Sequence, residues 1–273
     1  MKKALSNLLI VAGVSIVLAG CGLANADDDK KIKIGATAGP YSDQLKEGII
    51  PLLEKDGYEV EIVEFNDYIQ PNNALNEGNV DANLFQNRNY LINFNESHDM
   101  ELVPAYGVPT APIALYSDRH TTLEDVKEGM TITLPNDPTN LARSLNMMEA
   151  YGWITIDKDV NPITASEKDI ATNKLNLKIE PLDAAQTPRS LSNVDFAFVN
   201  GNFAIASGLK LTEAVNVEKT SEDYLIYLTI RKEDQDKSFA KALEAAYKSD
   251  EFYDYTIENA KGYVLPPYQV ERE

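Results

Sequence analysis

One cysteine, two histidines and one tryptophan in 273 residues leave little material for several kinds of chemistry. A lone thiol forms no intrachain disulfide, so the fold must rest on a buried core. His98 and His120 lie far apart in the polar contexts Glu96-Ser97-His98-Asp99 and Asp118-Arg119-His120, which read as exposed. A zinc centre or a Cys–His nucleophile is therefore not expected. Basic residues are also scarce, 25 Lys and Arg against 43 Asp and Glu, for a formal charge of −18. Nucleic-acid binding needs a concentrated basic surface, which this balance disfavours. The plain meaning of the acidity is solubility, and its sign says nothing about a ligand. Glu61 and Glu64 fall on one strand with no sign of a paired active site. No catalytic residue, metal or cofactor is expected, and the sequence has no internal repeat.

The one long apolar run is at the start. Lys2 and Lys3 precede an almost unbroken apolar stretch from Leu5 to Leu18, followed by Ala19 and Gly20. That is the layout of a secretory signal, and the run is too short for a comfortable membrane span. Leu18-Ala19-Gly20-Cys21 resembles the lipobox of bacterial lipoproteins, which implies cleavage before Cys21 and acylation of its sulfur. Two or more acyl chains anchor a protein stably, whereas one binds marginally. Removing residues 1–20 takes away two lysines and no acid, moving the formal charge from −18 to −20. Such a chain is repelled by anionic headgroups, so lipid would hold it at the outer face of the cell membrane. Residues 21–31, with three consecutive aspartates, read as the acylated cysteine and a flexible tether.

From Ile32 onward strand-like and helix-like segments alternate. Ile32–Ala36 is a short strand, Ser42 to Lys55 a helix stopped by Asp56-Gly57, and Tyr58–Phe65 an alternating strand. Further segments are a helix Pro71–Glu77, a strand Val80–Phe85, a helix near Arg88–Phe94 and a strand near Glu101–Tyr106. The rhythm predicts an α/β domain with a largely parallel sheet. Val108-Pro109-Thr110-Ala111-Pro112 predicts an extended crossover. A second α/β block follows, with strands at Met130–Leu134, Leu177–Leu182 and Phe196–Val199 and a helix from Pro138 to about Tyr151. Tyr224–Ile230 is an apolar strand, and Phe239, Leu243, Ala246 and Tyr247 share one face of a late helix. Two α/β lobes joined by two crossovers, with a ligand in the cleft, is the expected architecture: 32–110 plus 224–273 as one lobe and 111–223 as the other.

Residues Leu134 to Leu145 carry the most specific chemistry. A strand runs into a turn, Asp137 is placed to cap a helix, and Pro138 occupies its first position, where the missing amide costs nothing. Leu141, Leu145 and Met148 share a packing face; Asn140, Arg143 and Met147 share another. Such a junction opens at the carboxyl end of a strand, where open α/β sheets bind ligands, and free amides at a helix start favour an anion. Arg143 is the candidate for gripping a ligand carboxylate, with Asn140 beside it. The alternative from pattern alone is a surface arginine paired with an acid.

Several further blocks resemble one family. They are Phe65-Asn66-Asp67-Tyr68, Pro71-Asn72-Asn73-Ala74-Leu75, Asp81-Ala82-Asn83-Leu84-Phe85-Gln86, Gln186-Thr187-Pro188-Arg189-Ser190-Leu191 and Asp195-Phe196-Ala197-Phe198-Val199-Asn200, together with Pro135–Leu145. In this order they are similar to the methionine-binding lipoproteins of ABC importers, the NlpA family. The resemblance implies a type II periplasmic-binding-protein fold, a small amino-acid ligand and an ABC transporter permease as partner. It implies that Arg143 takes the ligand carboxylate, that Asn140 and Asn200 bond its polar backbone groups, and that Tyr68, Phe85 and Tyr90 wall the side-chain pocket. Two positions depart from the family pattern: Asn87 stands where a histidine usually follows Phe-Gln, and Ala111 where an aromatic often precedes the crossover proline. Both make the side-chain end smaller or more polar, which keeps open a methionyl dipeptide or another small amino acid in place of methionine. An adhesin-like surface lipoprotein is the alternative of another class.

Overall fold

The computed structural model describes residues 30–272, so the proposed signal, Cys21 and nearly all of the tether lie outside the described residues. In chain order the first block contains β1 (Lys31–Thr37), α1 (Pro40–Asp43), α2 (Ile50–Lys55), β2 (Glu59–Phe65), α3 (Gln70–Asn76), β3 (Ala82–Asn87), α4 (Arg88–His98) and β4 (Leu102–Val108). The second contains β5 (Ala114–Tyr116), β6 (Thr131–Pro135), α5 (Pro138–Ala150), β7 (Thr155–Ile156), β8 (Ile170–Thr172), β9 (Lys178–Leu182), α6 (Thr187–Ser190), β10 (Phe196–Val199), α7 (Gly201–Ala206) and β11 (Asn216–Val217). The chain then returns through β12 (Ile226–Arg231) to α8 (Ser238–Tyr247), α9 (Asp250–Asn259) and α10 (Pro267–Val270).

Two five-stranded sheets result, ordered β2-β1-β3-β12-β4 and β11-β5-β10-β6-β9. Neither is as parallel as the α/β rhythm predicts. β1 pairs parallel with β2 and β3, and β6 with β9 and β10, but β12 is antiparallel to both neighbours and so is β5. The cause is topological: β5 and β12 are the strands by which the chain enters one sheet from the other. Thr110 ties these passages together. Its amide and carbonyl pair with Val264, and its hydroxyl oxygen accepts from the Ile226 amide at 2.8 Å.

Each sheet carries its own core. Ile32, Ile34, Leu84 and Leu228 pack with Leu45, Leu243 and Tyr247 in the first; Ile132, Leu134 and Phe198 pack with Leu145, Met148 and Trp153 in the second. The predicted Ser42–Lys55 helix is present but interrupted. Between α1 and α2, residues Gln44–Ile49 are a π-helical turn in which the Ile50 amide donates to the Leu45 carbonyl. Pro51 explains the slip, because it has no amide with which to serve the Glu47 carbonyl at ordinary α spacing. Lys31, assigned to the tether from sequence, belongs to β1. His120 is also less exposed than its polar neighbours suggest: its side chain is 20% accessible and stacks on Phe196.

Candidate functional site

α5 begins as its sequence requires. Asp137 is extended, its carboxylate accepts from the Asn140 amide at 3.0 Å, and Pro138 follows in the first turn. Asn140 Nδ2 also donates to both Asp137 oxygens, at 3.0 and 3.1 Å. The anion expected at this helix start is thus the chain's own aspartate, not a ligand. Burial pushes the Asp137 carboxyl above the usual aspartate range, with the Asn140 hydrogen bonds and Arg143 working against the rise.

Three residues further, Arg143 is 5% exposed and lies one turn along from Asn140. Its Nε donates to Glu218 Oε1 at 2.6 Å and its Nη2 to Glu218 Oε2, while the Tyr224 ring sits 4.6 Å from the guanidinium carbon. Burial disfavours this charge, but Glu218, with smaller help from Tyr224 and Tyr41, outweighs it, and the guanidinium pKa is raised. The alternative of an arginine paired with an acid is therefore realised in part, but the pair is buried, not on the surface.

β10 ends at Val199, and Asn200 follows it as the residue that precedes α7. Asn200 Nδ2 donates to Asn140 Oδ1 at 3.0 Å, so the Asn140 amide is engaged at both ends and orients Asn200. Asn200 Oδ1 and Asn202 Nδ2 are buried without a hydrogen-bond partner among the described residues. Such atoms are uncommon in native interiors, because each forfeits its hydration without return. Asn202 Oδ1 accepts from the Tyr68 hydroxyl at 2.6 Å, a bond between a residue after β2 and one in α7.

The aromatic side is built on β3 and α4. Phe85 lies 5.7 Å from the Tyr68 ring and 5.8 Å from Tyr90, and the Tyr90 hydroxyl donates to the Tyr68 carbonyl. Asn87 caps α4 by accepting from the Tyr90 amide at 2.8 Å, which leaves its Nδ2 as the polar group at this end. Burial raises the Tyr68 and Tyr90 phenols well above their ordinary pKa, so both remain neutral donors.

All seven residues singled out from the sequence, Tyr68, Phe85, Asn87, Tyr90, Asn140, Arg143 and Asn200, line one cavity. Its walls bound about 340 Å³ of space between atoms, part of it open to solvent. Tyr41, Gln86, Thr110, Ala111, Gly201, Asn202 and Ile226 complete the lining. Wider grooves of about 960 and 940 Å³ each share one wall residue with it, Arg143 and Tyr90 respectively. The smaller cavity has the convergent polar atoms, and its position between the two sheets suits a small molecule. Sequence reasoning missed Glu218 and Asn202. Glu218 sits in an ordinary-looking charged stretch, Val217-Glu218-Lys219, whereas Asn202 lies two residues beyond Asn200 and was open to recognition.

The NlpA lipoprotein family model matches residues 32–268. Among curated relatives, the D-methionine-binding lipoprotein MetQ of Salmonella typhi is 37% identical over 243 residues, covering 88% of this chain and 89% of that one. Among solved structures, a nutrient-binding protein from Burkholderia cenocepacia bound to methionine is 37% identical with a TM-score of 0.82, covering 86% of this chain and 99% of that one. A periplasmic substrate-binding protein of an ABC transporter from Coxiella burnetii is 34% identical with a TM-score of 0.80, over 86% and 99%.

Proposed function

This chain belongs to the NlpA lipoprotein family, and on that footing we propose that it is the solute-binding component of an ABC importer for methionine. The two lobes, 32–110 with 224–273 and 111–223, close on one free amino acid and present it to a permease. The observation that carries the reading is the set of uncommitted polar atoms in a cavity with an aromatic wall between the two sheets. Arg143 faces the ligand carboxylate, and the unpaired Asn200 Oδ1 accepts from its ammonium. Tyr68, Phe85 and Tyr90 receive the side chain; a polarisable thioether packs well against aromatic rings. Asn140 holds Asn200 in place, and Asn87 and Ala111 bound the far end, where they set which side chain fits. The protein works by binding and release, not catalysis, and Cys21 carries the lipid that keeps it on the extracytoplasmic face of the membrane.

Thermal-shift screening of ligand-free protein against amino acids of both hands and methionyl dipeptides tests the ligand. A ligand at a hundred times its Kd stabilises the folded state by about 2.7 kcal/mol. For a chain of this size that raises Tm by roughly 5–10 °C. Methionine should give the largest rise among the amino acids. A larger rise with a dipeptide would move the assignment to that ligand, and no rise with any amino acid would overturn it.

A further inference from the structure

Arginine presents two bidentate edges to a carboxylate: a side-on edge, Nε with one Nη, and an end-on edge formed by both Nη atoms. In Arg143 the side-on edge is taken by both oxygens of Glu218. Glu218 is itself fixed, because the Thr220 hydroxyl donates to its Oε2 at 2.6 Å and its side chain is only 10% exposed. The Tyr224 ring covers the guanidinium and adds a cation–π contact. These three residues come from the second passage between the sheets, 218–225, and not from the helix that carries Arg143. Among the described residues Arg143 Nη1 has no hydrogen-bond partner, so the end-on edge is the one that remains for a ligand.

We propose that Glu218 is a positioning residue for ligand recognition: it locks Arg143 by its side-on edge, so that the ligand carboxylate docks end-on and Glu218 is never displaced. This rests on the functional reading above. It also explains why the site suits a zwitterion. Arg143 and Glu218 together are formally neutral, so a ligand with both a carboxylate and an ammonium adds no net charge to the buried pair.

The test uses Glu218→Gln, whose amide NH₂ turns a donor against one of the two guanidinium donors and breaks the lock, and Glu218→Asp, which keeps two acceptors. Calorimetry compares methionine with methioninol, which lacks the carboxylate. The expected result is that Glu218→Gln weakens methionine by about tenfold or more while methioninol stays within about twofold, and that Glu218→Asp recovers part of the loss. In parallel, the Arg143 Nε–H resonance, identified by its disappearance in Arg143→Lys, should keep its position when the wild-type protein is saturated with methionine. Unchanged methionine affinity in Glu218→Gln, equal weakening of both ligands, or a ligand-induced shift of the Nε–H resonance would each overturn the proposal. A wild-type protein that binds no methionine would instead count against the functional reading.

Discussion

At the scale of single residues the decisive fact is that Arg143 is buried and charged. Taking a guanidinium out of water is costly, and Glu218 is what makes it tolerable here. The sequence alone suggests that Arg143→Ala would remove binding and spare the fold. With Glu218 in place, the substitution leaves a buried carboxylate without its partner. Urea unfolding of the ligand-free protein should show a loss of about 3–5 kcal/mol, and converting both residues to methionine should recover most of it. Wild-type stability in the single variant would contradict this. Arg143 was legible because a capping aspartate and a first-turn proline fix the helix phase, which fixes its face. Glu218 was not, since no local pattern distinguishes a buried acid beside a lysine from a solvated one.

At the scale of elements, α5 formed where its capping chemistry placed it, Pro138–Ala150 against an expected end near Tyr151. The helix spanning 40–55 was also legible, though its π turn depends on a register choice that hydrophobic period does not encode. α7 depends on a close approach that only glycine permits. A Cβ on Gly201 would lie 2.5 Å from the Ala111 carbonyl oxygen and 2.6 Å from its carbon, both backbone atoms that cannot swing aside. Gly201→Ala should therefore push the first crossover off α7, costing about 1–3 kcal/mol and weakening methionine binding together, because Ala111 and Gly201 both line the cavity. Unfolding and titration of the same variant check this; unchanged values in both would remove the constraint.

At the scale of the whole molecule, the two sheets meet through side chains as well as through the crossovers. The Tyr68 hydroxyl reaches Asn202, Asn93 Nδ2 reaches Thr139 Oγ1 at 2.8 Å, and Gly39 lies against Ala206. The alternation of strands and helices was readable because each parallel strand pairs within its own block. The antiparallel placement of β5 and β12 was not, because their direction is set by the sheet the chain has just left. Likewise, helix spacing set Asn140 beside Arg143, but Asn200 and the aromatics joined them only through family likeness, since the aromatics stand across the cleft from the other three. The acceptor left unpaired on Asn200 and the end-on edge of Arg143 follow from three-dimensional pairing that no spacing rule contains.

Arg143 holding an amino acid through its carboxylate is checked by calorimetric titration of unfolded-and-refolded, ligand-free protein with methionine, alongside Arg143→Lys, which keeps the charge but loses the fork. One methionine should bind per wild-type chain, and the variant's affinity should be lower by at least about an order of magnitude. Equal affinity in the two proteins, or no binding by the wild type, would contradict it.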